Sequence, residues 1–121
     1  MPRPKKVLIV DDEPEQLTLR CMLIARQGLT SLPAEGPRAA LALAEAERPN
    51  CALMDLRLPT VQSGLRLIRD LRRLDPAMKI VVLTGQAMAL ETAPEMAMVA
   101  AVFEKGGSSK KLLEAIRTLC Q

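Results

Sequence analysis

The 121-residue chain contains no histidine. This excludes Ser-His-Asp and Cys-His nucleophilic catalysis and any metal held through imidazole. Tryptophan and tyrosine are also absent and there is one phenylalanine, so no aromatic platform exists for stacking nucleic-acid bases. The three cysteines, Cys21, Cys51 and Cys120, lie far apart in apolar runs and lack CxxC spacing. They read as buried small hydrophobes of a reducing compartment, not as a zinc site or disulfide framework. No apolar stretch reaches the ~18 residues of a membrane span, and the polar start MPRPKK has no signal-peptide character. A cytoplasmic location away from the membrane is therefore expected. The net charge of +3 is small and diffuse, which gives no ground for direct nucleic-acid binding.

What remains is a globular composition, 49% apolar and 26% charged, sufficient for one self-supporting core. A single domain over residues 1–121, with its core at about 5–119 and no effector domain, is expected. Four short apolar runs, at 7–10, 51–54, 80–83 and 99–103, do not alternate with polar residues. Such runs are strands buried on both faces, as in a parallel sheet. A fifth, at 29–32, does alternate and meets Pro33, which assigns it to a sheet edge with Pro33 outside its ladder.

Helical patterns fill the gaps. Asp12 is a candidate N-cap for a helix with Pro14 in its first turn, Leu17, Cys21 and Ile24 on one face, and Gly28 as its stop. Pro37 opens a second helix, which ends before Pro49. Ser63 or Gly64 opens a third, with Leu65, Ile68 and Leu71 inward and Arg66, Arg69 and Arg73 outward. Ser108 or Ser109 caps the last, with Leu112, Ile116 and Leu119 inward. The segment 87–97 is helical in composition, but Pro94 interrupts it. Strand alternating with helix predicts an α/β fold, a five-stranded parallel sheet flanked by helices on both faces.

Ligands of such sheets bind beyond the carboxyl ends of the strands. Asp11, Asp12 and Glu13 follow the first run, Asp55 the third, Thr84 and Gly85 the fourth, and Lys105 the fifth. Each has a plain structural account when taken singly. The acidic trio suits a helix N-terminus, Asp55 can pair with Lys105, Thr84 has β-propensity, and a lone lysine is usually solvated. Together they form a chemical set. Clustered carboxylates repel unless a cation neutralises them, and oxygen ligands of this kind suit Mg²⁺. A hydroxyl and an ammonium opposite the ion cradle phosphoryl oxygens, and a carboxylate among them is a candidate nucleophile that would form an aspartyl phosphate.

At these residues the sequence resembles the response-regulator receiver family of two-component signalling. The resemblance rests on VLIVDDE at 7–13, LMDLRLP at 53–59 with Gly64 beyond, VLTG at 82–85 and FEK at 103–105, and it covers nearly the whole chain. It implies the flavodoxin-like strand order 2-1-3-4-5 and a Mg²⁺ cofactor. It implies Asp55 as phosphoacceptor, with Asp11, Asp12, Asp55 and the backbone carbonyl of Arg57 as metal ligands. Thr84 and Lys105 would bind the phosphoryl oxygens. The implied partners are a sensor histidine kinase or phosphotransfer protein and an unknown downstream protein, with a phosphorylation-dependent homodimer as a further arrangement. The domain would assist its own phosphorylation without being an enzyme in the ordinary sense.

Four features depart from the family pattern. Gly106 replaces the proline that usually follows the lysine, and Val102 replaces the usual aromatic residue. The loop from Pro59 to Gly64 is one residue longer, and the stretch from Thr84 to Lys105 one shorter. A cis bond before Gly106 would lack proline's help, so a trans bond is expected, and the Gly106-Gly107 pair can take positive φ angles that other residues resist. Arg57 and Gln86, each two residues past a site residue, are expected to flank the mouth and tune the lifetime of the phosphoryl group. Three other readings compete. One is a receiver-like interaction module that does not use phosphorylation. An FMN-binding flavodoxin-like protein is disfavoured by the acidic first loop. A haloacid-dehalogenase-type phosphatase is disfavoured by the missing Asp-x-Asp.

Overall fold

A computed structural model of the protein describes residues 5–85 and 87–120. One sheet contains β1 (Lys6–Val10), β2 (Thr30–Ala34), β3 (Cys51–Asp55), β4 (Lys79–Thr84) and β5 (Ala101–Glu104). Its order is β2-β1-β3-β4-β5, every pairing parallel. The crossovers are α1 (Pro14–Ala25), α2 (Pro37–Glu47), α3 (Val61–Leu74), α4 (Ala87–Glu91) with a 3₁₀ turn (Pro94–Met98), and α5 (Ser109–Leu119). The expected α/β sandwich and its strand order are thus observed.

The continuous apolar runs supply both faces of the sheet because successive side chains point to opposite sides. Leu8, Val10, Ala52, Met54, Ile80 and Val82 pack with Ala40 and Ala44 of α2 and Leu67, Ile68 and Leu71 of α3. Val7, Ile9, Leu53, Val81 and Leu83 pack with Leu17 and Ile24 of α1 and Ile116 of α5. Cys51 and Cys120 lie buried in this second layer as free thiols. The hydrogen bond to Cys120 and burial push the Cys51 thiol up, as befits an inert core residue.

Several expectations are corrected. Glu13, not Asp12, is the N-cap of α1, and its side chain makes no capping bond. The Asp11 carboxylate instead accepts the Glu13 N–H at 2.8 Å, a two-residue turn that feeds the chain into the helix. Pro14 then occupies a first-turn position where no N–H is needed. Helix α3 begins at Val61, before Ser63 and Gly64, because Thr60 accepts the Ser63 N–H on Oγ1 at 3.1 Å. Gly64 serves packing instead. A Cβ there would lie 1.6 Å from the Leu56 carbonyl oxygen. Strand β5 starts at Ala101, since Val99 closes the 3₁₀ turn.

The edge position of β2 is as expected, but Pro33 stays in the ladder, opposite Ile9. Thr30 donates its N–H to the Lys5 carbonyl across the pair. By the two-residue alternation Leu32 and Ala34 also face β1, and the Pro33 nitrogen faces outward, where no donor is required.

Pro94 splits the segment 87–97, as its sequence predicts. It places Glu95 in a buried position against α3, where Arg69 donates to its carboxylate at 2.5 Å. The Arg69 hydrogen bond holds the Glu95 carboxyl below its ordinary value of 4.5. A carboxyl lowered by folding stabilises above its unfolded pKa, and that contribution disappears as pH falls through the lower folded value. Urea unfolding of Glu95→Gln is therefore expected to show a smaller loss of stability between pH 5 and about pH 3 than the parent protein. Equal slopes in that window would contradict the assignment.

Candidate phosphoacceptor site

The carboxyl ends of β1, β3, β4 and β5 meet at one rim, and the chain places a polar residue at each. Asp55, the last residue of β3, is 3% exposed. Its Oδ2 accepts from Lys105 Nζ at 2.6 Å, and its Oδ1 accepts the Arg57 N–H at 3.2 Å. Lys105 follows β5 directly and is tied to the end of β4, its N–H donating to the Thr84 carbonyl at 3.0 Å. Thr84 is buried at 3% and, with Asp55, Arg57, Gly85, Glu13, Val61 and Lys105, lines a cleft of about 340 Å³.

Asp11 and Asp12 close the acidic side. One oxygen from each of Asp11, Asp12 and Asp55 lies within 4.8 Å of the others. Asp11 and Asp55 are buried, whereas Asp12 is exposed. Three carboxylate oxygens at this spacing form a hard-oxygen donor set with an exposed side, which fits a divalent cation that keeps several waters. The sequence thus selects residues that the fold does bring together: Asp11, Asp12, Asp55, Thr84 and Lys105. Arg57 is exposed at the mouth, and Gln86 lies outside the described residues.

The Lys105–Gly106 bond is trans, and Gly106 adopts φ +84°, a conformation glycine supplies without strain. Val102 packs with the layer under α2, α3 and α4, and Phe103 with the layer under α1 and α5. The one aromatic residue therefore points to the opposite face from Val102.

One site residue escapes the sequence reading. Arg20 of α1 forms an ion pair with Asp11 Oδ2, and its side chain is only 11% exposed. Its spacing offers a signal. It stands three residues after Leu17 and four before Ile24, on the stripe that faces the sheet.

The sheet order agrees with the comparisons. The response regulator receiver domain matches residues 7–117. The chain belongs to this family. Receiver domains are signalling domains of two-component systems. The polar-differentiation response regulator DivK of Brucella anthropi is 35% identical over 88 residues, covering 73% of the chain and 71% of that protein. The alkaline phosphatase synthesis transcriptional regulatory protein PhoP of Bacillus subtilis is 33% identical over 82 residues, covering 68% of the chain. The chain spans about a third of the length of PhoP and of a second transcriptional regulator, 34% and 36%. A CheY-like receiver domain from Methanospirillum hungatei superposes with a TM-score of 0.83 at 28% identity, covering 96% of this chain and 93% of that one. Among the described residues of this receiver domain, no helix is long and apolar enough to cross a membrane.

Proposed function

We propose that this receiver domain accepts a phosphoryl group on Asp55 in a Mg²⁺-dependent reaction, from a phosphohistidine of a sensor histidine kinase or phosphotransfer protein. The observation that carries the proposal is the pairing of a buried Asp55 carboxylate with Lys105 at 2.6 Å beside the Asp11 and Asp12 oxygens. An Asp55 oxygen attacks phosphorus, the O–P bond forms as the donor N–P bond breaks, and that bond's electron pair returns to the donor nitrogen. Lys105 and the Thr84 hydroxyl bind the phosphoryl oxygens. Asp11, Asp12, Asp55 and the Arg57 carbonyl would hold Mg²⁺, which supplies charge neutralisation and orientation when bound. The chain offers positioning and neutralising charge, the two demands of phosphoryl transfer. Output passes through contacts with a downstream protein or a second copy, in the cytoplasm, with no nucleic acid bound directly.

Intact-mass measurement after incubation with acetyl phosphate and Mg²⁺ tests this. The expected result is the addition of one phosphoryl group, lost in Asp55→Asn and in EDTA. A gain that persists in Asp55→Asn, or is complete in EDTA, overturns it. The absence of any gain in the parent protein favours the second reading, a receiver-like interaction module, to which Val102 and Gly106 lend support.

A further inference from the structure

The acidic cluster already contains a cation from within the chain. Asp11 is almost wholly buried and both of its oxygens are engaged. Oδ1 accepts the Glu13 N–H at 2.8 Å, and Oδ2 is paired with the Arg20 guanidinium. Lys105 neutralises Asp55 in the same way from the other side. Two fixed positive charges therefore face the three carboxylates that would hold the ion.

We infer that Arg20 competes with Mg²⁺ for Asp11 and sets how tightly the ion is held. This rests on the proposed Mg²⁺ site. The alternative role for a side chain behind a metal ligand is to orient that ligand and so strengthen binding. Here the orientation is supplied without Arg20, by the Glu13 N–H on Oδ1 and by the burial of Asp11 between strand and helix. What Arg20 adds is a full positive charge beside a divalent cation, in a partly desolvated setting where like charges repel more strongly than in water. Arginine does not shed that charge at any physiological pH. Binding the ion through Oδ2 therefore requires Arg20 to give up or share that atom. In the metal-free protein the same pair relieves the carboxylate repulsion that would otherwise oppose folding.

The test is calorimetric Mg²⁺ titration of the full chain and of Arg20→Gln and Arg20→Lys. Arg20→Gln, which keeps a donor and loses the charge, is expected to bind Mg²⁺ on the order of tenfold more tightly. Arg20→Lys, which keeps the charge, is expected to restore the parent affinity. Should Arg20→Gln fail to fold, the Arg20 Nε–H resonance of the parent protein decides. It is expected to shift when Mg²⁺ is added, as the pair with Asp11 opens. Equal or weaker Mg²⁺ binding by a folded Arg20→Gln, failure of Arg20→Lys to restore the parent value, or an Arg20 resonance indifferent to saturating Mg²⁺ overturns the inference. If the parent binds Mg²⁺ and is phosphorylated on Asp55 in those cases, the proposed function stands and only the role of Arg20 falls. If neither parent nor variants bind the ion, the Mg²⁺ site itself is refuted, and the inference with it.

Discussion

Gly64→Ala is expected to destabilise the fold by about 3 kcal/mol or more, the upper range for forcing an extra group into a packed site. The added Cβ would stand 1.6 Å from the Leu56 carbonyl oxygen and 2.6 Å from its carbon. Both are backbone atoms, so no side-chain rotation relieves the overlap. Either α3 or the β3–α3 loop has to move. Helix α3 is anchored by Leu67, Ile68 and Leu71, all essentially buried, and lifting it would open a void against the sheet. The loop begins one residue after Asp55, so moving it displaces the carboxylate from Lys105 and from the acidic cluster. Urea unfolding measures the first effect, with Gly85→Ala as control. A Cβ at Gly85 meets nothing within 4 Å, and its change should stay within about 0.5 kcal/mol. Similar midpoints for the two variants would show that the α3 contact yields.

Lys105→Ala is expected to slow phosphoryl uptake from acetyl phosphate, at saturating Mg²⁺, on the order of a hundredfold, the cost of removing one donor aimed at developing charge. The Lys105 side chain is 42% exposed, but that of its partner Asp55 is 5% exposed. The charge thus reaches the buried oxygen from a flexible stem at the rim. No second cation among the described residues is paired with Asp55, since Arg20 is committed to Asp11 and the Arg57 side chain is exposed at the mouth. Lys111→Ala, on the exposed first turn of α5, should leave the rate unchanged. A Lys105→Ala rate matching the parent would remove Lys105 from the proposed transfer.

The sheet was legible because its strands are uniform apolar runs. VLIV and CALM admit few other structures, and each ends in a charge that only a rim or a partner accommodates. Asp11, Asp12, Asp55, Thr84 and Lys105 follow from that logic, and the fold gathers all five. The helix starts were less legible, because the capping group can be any of several neighbouring polar residues. Asp11 closes the turn that Asp12 was expected to cap, and Thr60 captures an amide before Ser63 becomes relevant. Pro33 was misplaced because a proline is excluded from a ladder only where its nitrogen faces the partner strand, and phase along an edge strand is not written in composition. Arg20 and Glu95 were missed for a related reason. Both are charges on otherwise apolar faces, satisfied by partners at a distance that sequence spacing does not encode: Asp11 nine residues before Arg20, and Arg69 of α3 for Glu95.

The outward-facing nitrogen of Pro33 has a consequence beyond this molecule. An exposed parallel edge is a template on which a strand from another molecule can assemble, and such growth starts protein aggregation. At β2 an incoming strand would meet a missing donor at the fourth of five residues, with the pyrrolidine ring standing beside it. The opposite edge, β5, is only four residues long and ends in the exposed Glu104. Two short borders, one interrupted and one charged at its tip, keep the sheet from being extended by its neighbours when the protein is concentrated, at no cost to the ladder that β2 makes with β1.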